Sequence, residues 1–325
     1  MIRILILLVS FIPLAAHSVQ LSQGDYRYRE DVEAFITELA AKSDYSESEL
    51  LQLFSQVKHQ RHLFERMDKP AEKLEWHQYR KIFLTEKRIQ KGREFLNQHR
   101  DLLQRIEQAY QVPAEIIVAI VGVETFYGTY KGKSPVFDTL VTFAFDYPKR
   151  AAFFTRELEE FLLLAREQGL DLRGVKGSYA GAMGVPQFIS SSYRNYAVDF
   201  DGDGKANLFD SLPDILGSVA NYFSRHGWQP GEAVTYPLLA QDHEGVKGIK
   251  TGMKPEYSWL EFKKAGLKTQ AKLTDDSRVA LVRLQQEDAP EYWAALKNFY
   301  VITRYNHSEL YAMAVYQLSQ KLKQG

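Results

Sequence analysis

The stretch Pro113-Ala-Glu-Ile-Ile-Val-Ala-Ile-Val-Gly-Val-Glu124-Thr-Phe-Tyr-Gly128 decides how this chain is read. Between Pro113 and Glu124 only Glu115 breaks a run of apolar residues, so the segment predicts a helix buried on most of its faces. Pro113 suits the first turn, where its missing N–H is harmless, and the predicted helix ends near Gly128. Glu124 stands at the end of that apolar run. A carboxyl in such surroundings loses hydration when it ionises, so its pKa is expected to rise toward neutrality, which is what a general acid needs. The ordinary role of a helix-end Glu is to reach solvent, and the helix by itself does not separate the two.

Outward from this helix the pattern changes twice. Upstream, from Tyr28 to about Tyr110, Val32, Phe35, Ile36 and Leu39, then Leu50, Leu53, Phe54 and Val57, recur at three- and four-residue intervals, which predicts amphipathic helices with solvated charged faces. Downstream, Gly132 to Pro148 reads as loop, and a helix runs from Lys149 to about Gln168, where Gly169 stops it. Ile215 to His226 is helical again. Between 232 and 290 alternation takes over, in Val234, Tyr236 and Leu238 and in Val279, Leu281 and Arg283, predicting short strands. Helical spacing returns from Tyr292 to Leu322. The expected organisation is a helical domain over 19–110, a core over 111–231, a small β-rich insertion over 232–290 and a C-terminal helical part over 291–325.

Composition narrows the function. Among 325 residues, 41 Lys and Arg balance 41 Asp and Glu, so the chain lacks the bulk positive charge of a phosphate-tracking nucleic-acid binder. With 45% hydrophobic and 13% aromatic residues it can bury a large core and is not disordered. Cysteine is absent, which removes disulfides, thiolate metal sites, Cys nucleophiles and a lipid-modified Cys. The opening MIRILILLVSFIPLAAHS places Arg3 before an apolar run from Ile4 to Leu14 and then small residues, and reads as a cleavable signal peptide over 1–18. That run is shorter than the ~20 residues that span a bilayer, so a soluble, exported protein is expected.

Two further segments carry candidate chemistry. Gly177-Ser-Tyr-Ala-Gly-Ala-Met-Gly-Val-Pro-Gln-Phe-Ile-Ser-Ser-Ser-Tyr193 has three glycines that let backbone approach a ligand, with Ser178 and Gln187 as neutral hydrogen-bonding groups suited to sugars and amides. A tight helix crossing uses Gly and Ala as well. In Asn298-Phe-Tyr-Val-Ile-Thr-Arg-Tyr-Asn306, Arg304, Tyr305 and Asn306 close an apolar stretch with polar groups. Taken together, Val-Glu-Thr-x-Tyr-Gly, then Gly-Ser-x-Ala-Gly-Ala-Met-Gly-x-x-Gln-Phe, then Arg-Tyr-Asn, the chain from about Tyr28 to its C-terminus resembles the lytic murein transglycosylase B family.

The resemblance implies a mainly α protein: a lysozyme-like helical core with an extra N-terminal helical domain and a small β-rich insertion. It puts Glu124 at the position of the family's single catalytic acid/base, and Ser178, Gln187, Tyr222, Tyr305, Asn306 and Tyr311 along the cleft. Lys149 and Arg150, in Asp146-Tyr-Pro-Lys-Arg150, fall near the substrate's peptide stem. The substrate would be peptidoglycan, its glycan strands and peptide stems, with cell-wall synthesis or remodelling proteins as further partners and the periplasm as location. No cofactor for catalysis is implied. A hydrolytic muramidase would instead need a second carboxylate across the cleft, for which Asp138 and Asp146 are the candidates; a binding module would need none. Tyr127, Tyr179 and Tyr193 could stack on sugar rings, although most such aromatics are core.

The loop Asp199-Phe-Asp-Gly-Asp-Gly-Lys-Ala-Asn-Leu-Phe-Asp210 has the spacing of an EF-hand. Asp199, Asp201, Asp203, Asn207 and Asp210 fall at positions 1, 3, 5, 9 and 12, Gly204 at 6, and Lys205 offers its carbonyl at 7. Position 12 is Asp in place of the usual Glu, a shorter reach, and Asp214 is a candidate to supply the missing ligand. So many aligned carboxylates repel one another without a cation, and a structural Ca²⁺ or Na⁺ is expected.

Overall fold

Apolar residues at helical spacing upstream of Pro113 do form helices. The computed structural model describes residues 20–68, 71–239 and 245–324; the predicted signal peptide over 1–18 lies outside them. The chain divides into two units, Met1–His59 and Gln60–Gly325. In the first, α1 (Glu30–Lys42) buries Val32, Phe35, Ile36 and Leu39, and α2 (Glu47–Ser55) buries Leu50 and Phe54. Ser46 and Glu49 form a capping box that starts α2 and satisfies two otherwise orphaned N–H groups.

The second unit begins with α3 (Phe64–Asp68), α4 (Trp76–Phe83), α5 (Glu86–Gln98) and α6 (Arg100–Tyr110). These precede the apolar run, which folds as α7 (Ala114–Thr125) with nine of its residues buried. Each fully buried Ile or Val contributes about 1.5–3 kcal/mol, so α7 is the hydrophobic axis of the unit. It is packed by α5, α6, α11 (Leu212–Arg225) and α14 (Glu309–Lys323). Because α4, α5 and α6 pack on α7 or α14, the division falls at 59/60 and not near residue 110 as the sequence suggested.

Gly92 of α5 and Gly122 of α7 leave a slot for one ring. A Cβ on Gly92 would stand 2.2 Å from the Tyr127 hydroxyl, and one on Gly122 would stand 2.7 Å from its Cζ. The hydroxyl in that slot donates to the Arg88 carbonyl at 2.9 Å. Tyr127 is therefore core, as is Tyr193, 2% exposed, and neither is a stacking platform for sugar.

Past α7, a two-stranded ribbon of β1 (Ser134–Pro135) and β2 (Lys176–Gly177) brackets α8 (Val136–Asp146) and α9 (Ala151–Gln168). Gly169, at φ 66°, ends α9 as expected. The short helix α10 (Ser190–Tyr196) follows the glycine-rich segment.

The insertion is a four-stranded antiparallel sheet in the order β3-β6-β5-β4: β3 (Thr235–Pro237), β4 (Tyr257–Ser258), β5 (Arg278–Gln285) and β6 (Pro290–Ala295). It carries a helix of its own, α12 (Trp259–Lys264), started by a Ser258/Glu261 capping box. Its core includes Trp259, Phe262, Val279, Leu281 and Tyr292. The segment from Tyr292 was expected to be helical; its first residues are strand, because Tyr292 and Ala294 turn into this core while Pro290–Ala295 completes the ladder with β5. Helix resumes at α13 (Lys297–Tyr305) and ends with α14.

Candidate active site

The end of α7 is held in an uncommon backbone state. Phe126 (φ 52°), Tyr127 (φ 57°) and Gly128 (φ 79°) are all left-handed. Two consecutive non-glycine residues there signify stored strain, and the amides of Phe126 and Tyr127 return to the Gly122 and Val121 carbonyls to hold them. Thr125, 1% exposed, closes the same turn. Its hydroxyl accepts from the Gly128 amide at 3.0 Å and donates to the Val185 carbonyl at 2.9 Å. This buried side chain ties the helix end to the glycine-rich loop, a role that its place in the Val-Glu-Thr-x-Tyr-Gly motif did not disclose.

Glu124 emerges half-buried from that turn. Its Oε1 accepts from the Tyr311 hydroxyl of α14 at 2.5 Å. Tyr311 is 2% exposed, and its ring stacks on Tyr305, with centroids 6.4 Å apart at 9°. Burial, reinforced by the nearby Glu124 charge, pushes both phenols well above 10, so both keep their protons and remain donors. Tyr305 donates to the Pro186 carbonyl at 2.6 Å. Tyr222 packs edge-on to Tyr305 at 4.9 Å and donates to the Arg304 carbonyl. Beneath Tyr222, 4.1 Å away, lies His226, whose pKa burial lowers. An aromatic wall thus runs from His226 to Glu124, and Asn306 follows Tyr305 at the end of α13.

The glycine-rich segment supplies the opposite chemistry. The Ser178 oxygen accepts from the Ala180 and Ala182 amides at 3.2 and 3.0 Å, which leaves its hydroxyl hydrogen to donate. Gln187, left-handed at φ 52°, donates from Nε2 to the Lys131 and Gly184 carbonyls at 3.2 and 2.8 Å, which leaves its carbonyl oxygen to accept. One donor and one acceptor are the complement of a secondary amide such as an N-acetyl group.

The alternative carboxylates are committed elsewhere. Asp138, 4% exposed, is paired with Arg173. Asp146 accepts from both Nε and Nη2 of Arg61 at 3.2 Å. Of the two expected stem-binding cations, Lys149 donates to Asp68 at 2.8 Å, and that bond, with the Tyr147 hydroxyl on the same oxygen, lowers the Asp68 pKa. The Arg150 guanidinium lies 4.4 Å from the centre of the Phe153 ring.

In the acidic loop, Asp199, Asp201 and Asp203 bring one carboxylate oxygen each to within 4.8 Å of one another. Oxygens about 2.4 Å from a shared Ca²⁺ stand at most about 4.8 Å apart, so these three fit a hard cation. Asp210 instead faces the Lys131 ammonium at 3.4 Å, and Asn207 accepts from the Phe209 and Asp210 amides. Lys205 remains the source of the position-7 carbonyl. Asp214, expected as an extra ligand, has another role. Fully buried, it accepts from the amides of Phe200 at 2.8 Å, Asp201 at 3.4 Å and Asn207 at 2.9 Å and clamps the loop from beneath.

Comparison with known proteins agrees with this architecture. A family model described as the transglycosylase SLT domain matches residues 27–320. The chain is 43% identical over 314 residues to the Escherichia coli (strain K12) membrane-bound lytic murein transglycosylase B, covering 94% of this chain and 86% of that protein. The soluble lytic transglycosylase SltB1 from Pseudomonas aeruginosa superposes with a TM-score of 0.85 at 45% identity, over 90% of this chain and 98% of that one. The E. coli lytic transglycosylase Slt35, solved in complex with calcium, superposes with a TM-score of 0.87 at 43% identity, over 95% of this chain and 97% of that one. Likeness of this extent, in sequence and in fold, shows that the chain belongs to the transglycosylase SLT family, the lytic transglycosylases, which are enzymes acting on peptidoglycan.

Proposed function

We propose that this protein cleaves the β-1,4 bond between N-acetylmuramic acid and N-acetylglucosamine without water, with Glu124 as its single general acid/base. The observation that carries the reading is the commitment of Asp138 and Asp146 to arginines while Glu124 sits in the wall of tyrosines. A hydrolase of the usual kind uses two carboxylates; one is enough when the substrate supplies the nucleophile. Protonated Glu124 gives its proton to the leaving O4 as the C1–O4 bond breaks. The muramoyl C6 hydroxyl then forms the C6–O–C1 bond and returns its proton to the Glu124 carboxylate, leaving a 1,6-anhydromuramoyl end. The N-acetyl oxygen can shield the positive charge at C1 between the two events, as in substrate-assisted glycosidases. Ser178 and Gln187 hold an acetamido group, Tyr311 orients the carboxyl through its hydrogen bond, and Tyr305, Tyr222 and Asn306 line the sugar path.

The acidic loop is proposed to hold a structural Ca²⁺ through Asp199, Asp201 and Asp203, completed by the Lys205 carbonyl and Asn207. The metal supplies no chemistry to the reaction. Export through a cleaved signal peptide to the periplasm belongs to the same proposal, and N-terminal sequencing of the mature protein tests it. Among the described residues no single helix is long and apolar enough to cross a membrane.

The deciding experiment is mass spectrometry of fragments released from purified peptidoglycan, with Glu124→Gln in parallel. Anhydromuramoyl ends, lighter than reducing ends by one water, are expected from the parent and none from the variant, which should melt as the parent does. Reducing ends would make the protein a muramidase. Binding without release would make it a recognition module, and turnover by folded Glu124→Gln would remove the acid/base assignment.

A further inference from the structure

A cavity of about 560 Å³ opens beside the proposed sugar path, between the end of α9, β2 and the acidic loop. It lies against the site through two residues. Lys131, in its wall, gives its carbonyl to Gln187, and Lys176, also in its wall, directly precedes Gly177 and Ser178. Three lysines line it, Lys131, Lys176 and Lys205. Lys131 is engaged by Asp210 at 3.4 Å and by the Phe209 carbonyl at 3.0 Å. Asp171, the other acid in the wall, accepts from the Arg173 amide through one oxygen and lies against Gly174, so it serves its own turn. Among the described residues, neither Lys176 nor Lys205 has a carboxylate partner. Leu170, Val175 and Phe209 add apolar surface. The volume suits an oligopeptide-sized ligand, and three lysines against the carboxylates of Asp171 and Asp210 leave the wall one net positive charge beside its apolar surface, which suits a carboxylate on an aliphatic stem.

We propose that this cavity seats the carboxylate-bearing peptide stem of the glycan strand, with Lys176 and Lys205 as its cations. The inference rests on the peptidoglycan reading above. It also gives the stem a place apart from Lys149, which Asp68 already holds. A strand laid along Ser178 and Gln187 then carries its acidic side chain over β2 and into the cavity.

The test is calorimetric titration of the full chain, carrying Glu124→Gln so that ligand is not consumed. Its two ligands are a peptide-bearing peptidoglycan tetrasaccharide and the same tetrasaccharide with its peptides removed by an amidase. The peptide-bearing fragment is expected to bind more tightly, and added salt should shrink the difference. Adding Lys176→Gln and Lys205→Gln should weaken the peptide-bearing fragment about threefold to thirtyfold, the range for two exposed ion pairs, and leave the stripped one unchanged. Equal weakening of both fragments, or of neither, would overturn the proposal while leaving the enzyme reading intact. If the parent and the Glu124→Gln protein bind neither fragment, the peptidoglycan reading itself falls and takes this inference with it. Both lysines are exposed, and matching thermal melts identify any variant whose loss is one of folding.

Discussion

Thr125→Val removes a single hydroxyl and keeps the shape of the side chain. In the parent that hydroxyl serves the Val185 carbonyl and the Gly128 amide at the end of α7. Valine leaves both without a partner, at a position 1% exposed where water does not readily replace it. An orphaned buried polar group costs about 1–3 kcal/mol, and since Gly128 is only partly buried the sum is about 2–4 kcal/mol. In a chain of this size that corresponds to a melting temperature roughly 3–6 °C lower. The same bond ties Glu124 to the loop carrying Gln187, so clearing of purified cell walls should slow even at temperatures where the variant is fully folded. Thr125→Ser, which keeps the hydroxyl, should recover most of the rate while losing only the packing of one methyl. Differential scanning calorimetry and a turbidity assay on the three proteins decide the matter. A Thr125→Val protein that melts and clears walls as the parent does would refute the tie between helix and loop.

Burial holds the Glu309 carboxyl above its ordinary 4.5, so the folded state binds this proton more tightly than the unfolded state. Its contribution to stability is present in full below about 4.5 and is lost as pH rises through the folded value; Glu309→Gln should therefore melt higher than the parent at neutral pH, with the gap closing near pH 4 in a pH series of thermal melts. Calcium at about 100 times its Kd should add about 2.7 kcal/mol by mass action, read as a rise in melting temperature that chelator reverses and that Asp201→Asn with Asp203→Asn abolishes. Gly92→Ala drives a methyl to 2.2 Å from the Tyr127 hydroxyl and 2.5 Å from Leu322, and should cost about 1–3 kcal/mol as overpacking, measured by urea titration.

What the residues disclosed, and what they concealed, follows from the range of the forces involved. The helix around Ile116–Val123 was legible because an unbroken apolar run has few alternatives to burial, and the end of α9 because Gly169 takes a left-handed turn at little cost. β6 was hidden because no Gly or Pro separates Tyr-Trp-Ala-Ala from the Phe-Tyr-Val-Ile run of the helix that follows, and only its pairing with β5 reveals the strand. α12 spans six residues, too few for a period, and the Ser258/Glu261 box was its one local sign. Glu124 stood out because a carboxyl after an apolar run is anomalous. Thr125 and Lys131 did not, since they act through backbone carbonyls across loops, and no side-chain pattern encodes which carbonyl comes near. Asp214 matched the ligand chemistry, but only its burial under three amides shows that it serves the loop itself.

Glu124 and its tyrosine donor are 187 positions apart. A growing chain holds the acid long before it holds residue 311, and α14, which carries that residue and packs against α7, is the last helix of the described chain. Contacts so distant in sequence form late and slowly. Assembly order thus acts as a safety catch: while the nascent polypeptide is being synthesised it carries an unfinished centre, and the capacity to cut arrives together with α14.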